Sequence, residues 1–314
     1  MADVIKFPGA DDESSLRDFL RRVKRHPAFR VWKRPGDMVK NLLPNTWRFA
    51  TSYFRHLPTT VIVGAQKAGT TQLYAYLVTN PRCFEAAKKE VDYFSKHPER
   101  SVTWYRSRFP LAARVQWRRG HVMEASPSYL PTPSAIRQMK QVLPKARVIV
   151  LLRDPVSRAF SHYQHRKTRH LESRSFAECV AEEIRANEFP PQLGVATREN
   201  AKPMLGYVAR GYYALQLEHL IKVFPRNKVL ILDSADLFKD TKKTCDRVFN
   251  FMGLDGFEVQ PTKIYNRGYY KETIDPRVAE ALRAHYRPYD ELLEHVLGEQ
   301  FSWMMPAAEL KAAA

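Results

Sequence analysis

The sequence predicts an α/β fold in which a central parallel sheet carries helices on both faces. Three stretches carry that reading. Thr59-Thr60-Val61-Ile62-Val63 runs into a loop bounded by Gly64 and Gly69, and from Thr70 to Leu77 the apolar positions suit one face of a helix. Val148 to Leu152 is an unbroken apolar run, as a strand covered on both faces requires. It ends in Arg153-Asp154-Pro155, where a proline suits the first turn of a helix. Lys228-Val229-Leu230-Ile231-Leu232-Asp233 reads as another buried strand. Such sheets bind ligands beyond the carboxyl ends of their strands.

The 314 residues, 44% hydrophobic and 12% aromatic, suffice for one main core. Cys83, Cys179 and Cys245 are scattered without paired metal spacing, which points to a reducing compartment and away from a metal centre. No stretch approaches about eighteen consecutive apolar residues, and the N-terminus lacks a signal-peptide core, so a soluble, cytoplasmic protein is expected. Net charge is +18, and between Arg17 and Arg55 eleven basic residues face only Asp18 and Asp37. That segment fits a solvated helical face, a field that gathers anions, or peripheral contact with an anionic surface through residues 14–55. It carries no recognisable nucleic-acid motif. The expected division is a basic extension over 1–56, partly helical or disordered, a main domain over 57–305 and a tail over 306–314.

The loop from Gly64 to Thr71 has the makings of an anion cradle. Its glycines allow a sharp turn and a close approach, so that backbone N–H groups and the positive end of the next helix point at one oxyanion. Thr70 and Thr71 add hydroxyl donors and Lys67 a mobile cation. A Walker A loop needs lysine immediately after its second glycine, whereas here Thr70 follows Gly69 and Lys67 precedes it by two. Spacing therefore argues against an ATP loop.

Lys-x-Gly-Thr-Thr after a strand resembles the 5′-phosphosulfate loop of sulfotransferases that use 3′-phosphoadenylyl sulfate (PAPS), especially the carbohydrate and heparan-type branch. Further along, Arg153-Asp154-Pro155 with Arg158 and Ser161 resembles that family's R-D-P-x-x-R-x-x-S element, which implies Arg153 and Ser161 as 3′-phosphate ligands. Bidentate, charge-assisted bonding explains arginine rather than lysine there. Lys89-Glu90-Val91-Asp92-Tyr93-Phe94 resembles the K-E-x-x-[FY]-F element, whose glutamate is the proposed base; Asp92 is the rival carboxylate, and in an extended segment it would point the same way as Glu90. Glu124-Ala125-Ser126-Pro127-Ser128-Tyr129 resembles E-x-[ST]-P-x-Y. Several heparan-type relatives have a lysine where Ala125 stands, and Glu124 reads either as a secondary catalytic or substrate residue or as a carboxylate bonded to its turn.

Weaker matches follow in family order. Arg210-Gly211-Tyr212 to Leu220 resembles the R-G-x-Y-x-x-Q-L helix that walls the nucleotide, with the helix read as starting near Gly206. Arg267-Gly268-Tyr269 stands where these enzymes close over the 3′-phosphate. Pro276 to Leu297 reads as one or two amphipathic helices, with Pro288 interrupting. His162 and His165 have metal-compatible spacing, but nothing nearby completes a ligand set. Residues 188–200 read as a loop able to act as a lid or acceptor element.

The resemblance implies a P-loop-type three-layer sandwich and sulfuryl transfer from PAPS to a hydroxyl, or an amine, of a carbohydrate, glycolipid or small molecule, leaving 3′,5′-adenosine bisphosphate (PAP), with no metal. Gln66, Lys67, Ala68, Gly69, Thr70 and Thr71 would hold the 5′-phosphosulfate. Arg153 and Ser161, helped by Arg267, Gly268 and Tyr269, would read the 3′-phosphate. Glu90 would be the base, with Lys67 stabilising the leaving oxygen and Lys89 meeting the acceptor. Membrane-anchored members are common in this family, and the expected lack of an anchor here favours a small or cytosolic acceptor. Two other classes remain: a kinase or triphosphatase using Mg²⁺ and Asp233 in a loose Walker B pattern, and a non-enzymatic binder of anionic polymers using the basic N-terminal stretch.

Overall fold

A computed structural model describes residues 46–186, 206–254, 257–259 and 272–305. Arg267, Gly268, Tyr269, the loop expected at 188–200, most of the basic extension and the tail after Met305 lie outside the described residues. The chain divides into two units, Met1–Thr51 and Ser52–Ala314. In the first, 46–50 is helical and the Thr51 hydroxyl donates to the Trp47 carbonyl at 2.7 Å.

The second unit holds five parallel strands: β1 Thr60–Gly64, β2 Cys83–Phe84, β3 His121–Ala125, β4 Arg147–Leu152 and β5 Val229–Asp233, in the order β2-β3-β1-β4-β5. β1 lies in the middle, with Thr60 opposite both Met123 and Arg147. Every residue of β1 is buried, as the apolar runs require of a sheet covered on both sides. Between Ile62 and Gly64 the β1–β4 register shifts, an irregularity placed just before the loop.

Helices α1 Thr70–Leu77, α2 Pro133–Val142, α3 Pro155–Lys167, α4 Phe176–Ala186, α5 Tyr213–Val223, α6 Ser234–Lys239, α7 Thr241–Met252 and α8 Pro276–Leu297 complete the layers. Three short helical turns, Tyr93–Lys96, Val102–Arg106 and Ala112–Trp117, lie between β2 and β3. α1 packs on α7, whereas α5 packs on α2 and α8, and α8 on α3. The direction of travel across the sheet reverses between β1→β2 and β3→β4, and right-handed crossovers then put α1 and α2 on opposite faces. That reversal opens a crevice beyond the carboxyl ends of β1 and β4.

Two sequence expectations need correction. The stretch from Gly206 is a turn with a single 3₁₀ turn over Ala209–Gly211, and α5 starts only at Tyr213. Buried side chains take the backbone groups a helix would use: Glu183 accepts the N–H of Val208 (2.7 Å) and Ala209 (3.4 Å), and the Tyr286 hydroxyl donates to the Val208 carbonyl (2.8 Å). Conversely, Pro288 does not split the last helix, which runs unbroken for 22 residues. One lost rung is offset by burial of Leu282, Tyr286 and Leu293 along its inner face.

Candidate active site

The loop after β1 is fastened to the neighbouring strand by the Ala65 N–H, which donates to the Leu151 carbonyl at 2.7 Å. Lys67 and Gly69 both adopt positive φ, 72° and 93°, which turns the chain back on itself before α1. A side chain at Gly69 would be strained by that φ and would meet the Phe238 ring at 3.2 Å. Ala68 and Thr70 are buried beneath the loop, while Gln66, Lys67 and Thr71 keep part of their surface open.

Arg153 arrives from the end of β4, and its Nη1 donates to the Lys67 carbonyl at 3.1 Å. The Tyr213 hydroxyl holds the Arg153 carbonyl at 2.9 Å. Asp154 caps α3, accepting from the N–H of Val156 (3.1 Å) and Ser157 (3.2 Å) and from the Ser157 hydroxyl (2.5 Å). α3 then carries Ser161, buried, two turns from Arg153. The expected 5′- and 3′-phosphate elements thus meet at one crevice.

Electrostatics mark the same place. Burial pushes the Lys67 ammonium down to about 8, aided by Arg153, Arg169 and Arg158 and opposed by Glu90. His165, on α3, is also lowered, by burial and then by Lys67 and Arg169. Glu90 is exposed, with Lys89 Nζ 3.2 Å from its Oε1. Cations therefore surround Lys67, with Glu90 as the carboxylate acting on it.

The segment around Glu90 is not extended, so it and Asp92 do not point the same way: both have positive φ, 30° and 52°. Asp92 is turned inward, its N–H donating to Ser126 Oγ (3.0 Å) and its carboxylate taking Ser128 Oγ (2.5 Å) and Lys96 Nζ (2.6 Å). Glu124 is only 1% exposed and accepts from Tyr105, from Tyr129 (2.6 Å) and from Ser126 (3.0 Å). Burial lifts its carboxyl to about 7 even though those hydroxyls favour the anion. Of the two readings of Glu124, the geometry supports the carboxylate bonded to its turn. Through Ser126 it anchors the segment that presents Glu90.

A model of the sulfotransferase domain matches residues 57–287. The chain belongs to the sulfotransferase family. Among curated proteins it is similar to the bifunctional heparan sulfate N-deacetylase/N-sulfotransferase 3 of Homo sapiens, 30% identical over 233 residues that make up 71% of this chain and 25% of the relative. It is also similar to heparan sulfate glucosamine 3-O-sulfotransferase 6 of Homo sapiens, 29% identical over 273 residues, 79% of this chain and 74% of that protein. The chain thus spans about a quarter of the bifunctional relative's length. The crystal structure of a sulfotransferase from Alicyclobacillus acidocaldarius is 28% identical with a TM-score of 0.61, covering 79% of this chain and 98% of that one.

Set against this family, the sequence reading missed three residues that gather at the crevice. Arg210 Nη1 donates to Gln66 Oε1 at 2.7 Å, and Arg169 and His165 lie within electrostatic reach of Lys67. Arg210 sat in a quoted motif, but nothing in its spacing pointed at the loop 144 positions earlier. Asp233, the Walker B candidate, spends one carboxylate oxygen on the Ala235 N–H and the other on the Ser302 N–H, both at 2.8 Å. It sits on the edge strand β5, with β4 between it and β1. Among the described residues, no group of three or more His, Cys, Asp or Glu is set to hold a metal ion, and no helix is long and apolar enough to cross a membrane.

Proposed function

We propose that this protein transfers a sulfuryl group from PAPS to a hydroxyl, or an amine, of an anionic carbohydrate of the heparan sulfate type. The observation that carries the reading is the Arg153–Lys67 contact at the β1/β4 crevice, where the two phosphate-reading elements meet. The residues fit such a donor: an ammonium crowded by Arg153, Arg158 and Arg169 and lowered by burial is relieved by a polyvalent anion. PAPS supplies the group as a phosphosulfate anhydride.

In this reading Gln66, Lys67, Ala68, Gly69, Thr70 and Thr71 cradle the 5′ end, and Arg153 and Ser161 read the 3′-phosphate with Arg267, Gly268 and Tyr269. The acceptor oxygen bonds to sulfur as the bridging S–O bond breaks. Its proton passes to the Glu90 carboxylate, and the electron pair leaves on the 5′-phosphate, where Lys67 and the loop N–H groups meet it. Lys89 and Arg169 supply the basic mouth that suits an anionic acceptor. The heparan sulfate sulfotransferases among the relatives support the acceptor class.

The test is incubation with PAPS and partially desulfated heparan sulfate oligosaccharides in the presence of a metal chelator. Sulfated product is expected, lowered by about 10²-fold or more in Glu90→Gln. Equal turnover by that variant would remove Glu90 as base.

A further inference from the structure

Arg210 reaches the phosphate loop from a turn that the protein holds with unusual care. Arg158 is fully buried, and its Nη2 donates to the carbonyls of Gly206, at 3.3 Å, and Tyr207. From the other side Glu183 takes the N–H groups of Val208 and Ala209. Gly206, at φ 70°, lets the Arg210 stem lie directly against it; a Cβ there would come within 2.9 Å of Arg210 Nε. Two buried charged side chains, from α3 and α4, thus fix one turn.

The product of that bracing is the 2.7 Å bond from Arg210 Nη1 to Gln66 Oε1. A guanidinium can only donate, so it engages only the oxygen end of a carboxamide and sets which way the amide faces. The end left for other partners is the N–H₂, a donor. An amide without such a fixed partner turns over at little cost and could present its oxygen to an oxyanion, which repels. Arg158 Nε and Nη1 have no hydrogen-bond partner among the described residues and add positive potential beneath this turn.

We propose that Arg210 is a positioning residue that holds the Gln66 carboxamide with its N–H₂ toward the transferred sulfuryl group, so that the loop distinguishes phosphosulfate from plain phosphate. This rests on the sulfotransferase reading. PAP has the same two phosphates and no sulfuryl group, which makes it the internal control for folding and for the rest of the site.

The experiment is calorimetric titration of the full chain, without acceptor or divalent metal, with PAPS and with PAP. It compares wild type, Arg210→Ala, Gln66→Ala and the double variant. Wild type is expected to prefer PAPS, and each single variant to lose about tenfold of that preference, with PAP affinity changing by less than about threefold in Arg210→Ala. The double variant should lose no more than either single one, because one residue acts through the other. Equal weakening of PAPS and PAP would show a merely structural role and overturn the proposal. Additive losses, or a wild type that binds both ligands equally, would also overturn it. A wild type that binds neither nucleotide would instead remove the sulfotransferase reading itself.

Discussion

Lys67 was legible as a loop cation from its place between two glycines, but its acidity was not. It depends first on burial and then on the charges of Arg153, at the end of β4, and Arg169, just past the end of α3. With an ammonium at about 8 in place of the ordinary 10.5, the protonated form, which attracts the anion, predominates below that value and is lost as pH rises through it. PAP affinity should therefore fall between about pH 8 and pH 10, and Lys67→Arg should flatten the profile because guanidinium stays charged. A wild-type affinity constant across that range would contradict the assignment. Glu124 makes the complementary case for stability. Its carboxyl is raised from 4.5 to about 7, so the folded state holds the proton more tightly. The corresponding stability is complete below about 4.5 and is lost as pH rises to about 7, on the order of 3 kcal/mol. Thermal unfolding across that window should show the slope in wild type and a flatter line in Glu124→Gln; parallel lines would refute it.

At the scale of elements, strands were the most legible part, because β1, β4 and β5 are apolar runs that local sequence displays. The start of α3 was equally legible from Asp154-Pro155. Replacing Asp154 by alanine leaves two N–H groups and the Ser157 hydroxyl without their acceptor, and should cost about 1–2 kcal/mol in urea unfolding. A change below about 0.3 kcal/mol would mean water caps α3 as well as the carboxylate does. The turn at Gly206–Gly211 was misread as helix because its conformation is dictated from afar, by Glu183, Arg158 and Tyr286. Its apolar spacing was genuine but belonged to burial in a second core, with Tyr207, Val208 and Tyr212 packed against α3 and α8. Glu90 and Asp92 differ in orientation for the same reason, since Asp92 answers to β3 and the turn after it.

For the whole molecule, the decisive property is topological. The order β2-β3-β1-β4-β5 puts the loop after β1 beside the end of β4, although the two elements are far apart in sequence. Motif order suggested this arrangement, and the register of β1 on β4 delivers it. The acceptor was not legible, because in the proposed reading its recognition rests on loops and on a basic mouth drawn from Lys89 and Arg169, which come from separate parts of the chain. The central claim is that this crevice reads a nucleotide by both its phosphates. The most direct measurement is metal-free calorimetry with PAP and, in parallel, 5′-AMP. PAP should bind at least about 10²-fold more tightly than 5′-AMP, and Arg153→Ala should abolish most of that difference. Equal binding of the two nucleotides, or an undiminished preference in Arg153→Ala, would contradict the account.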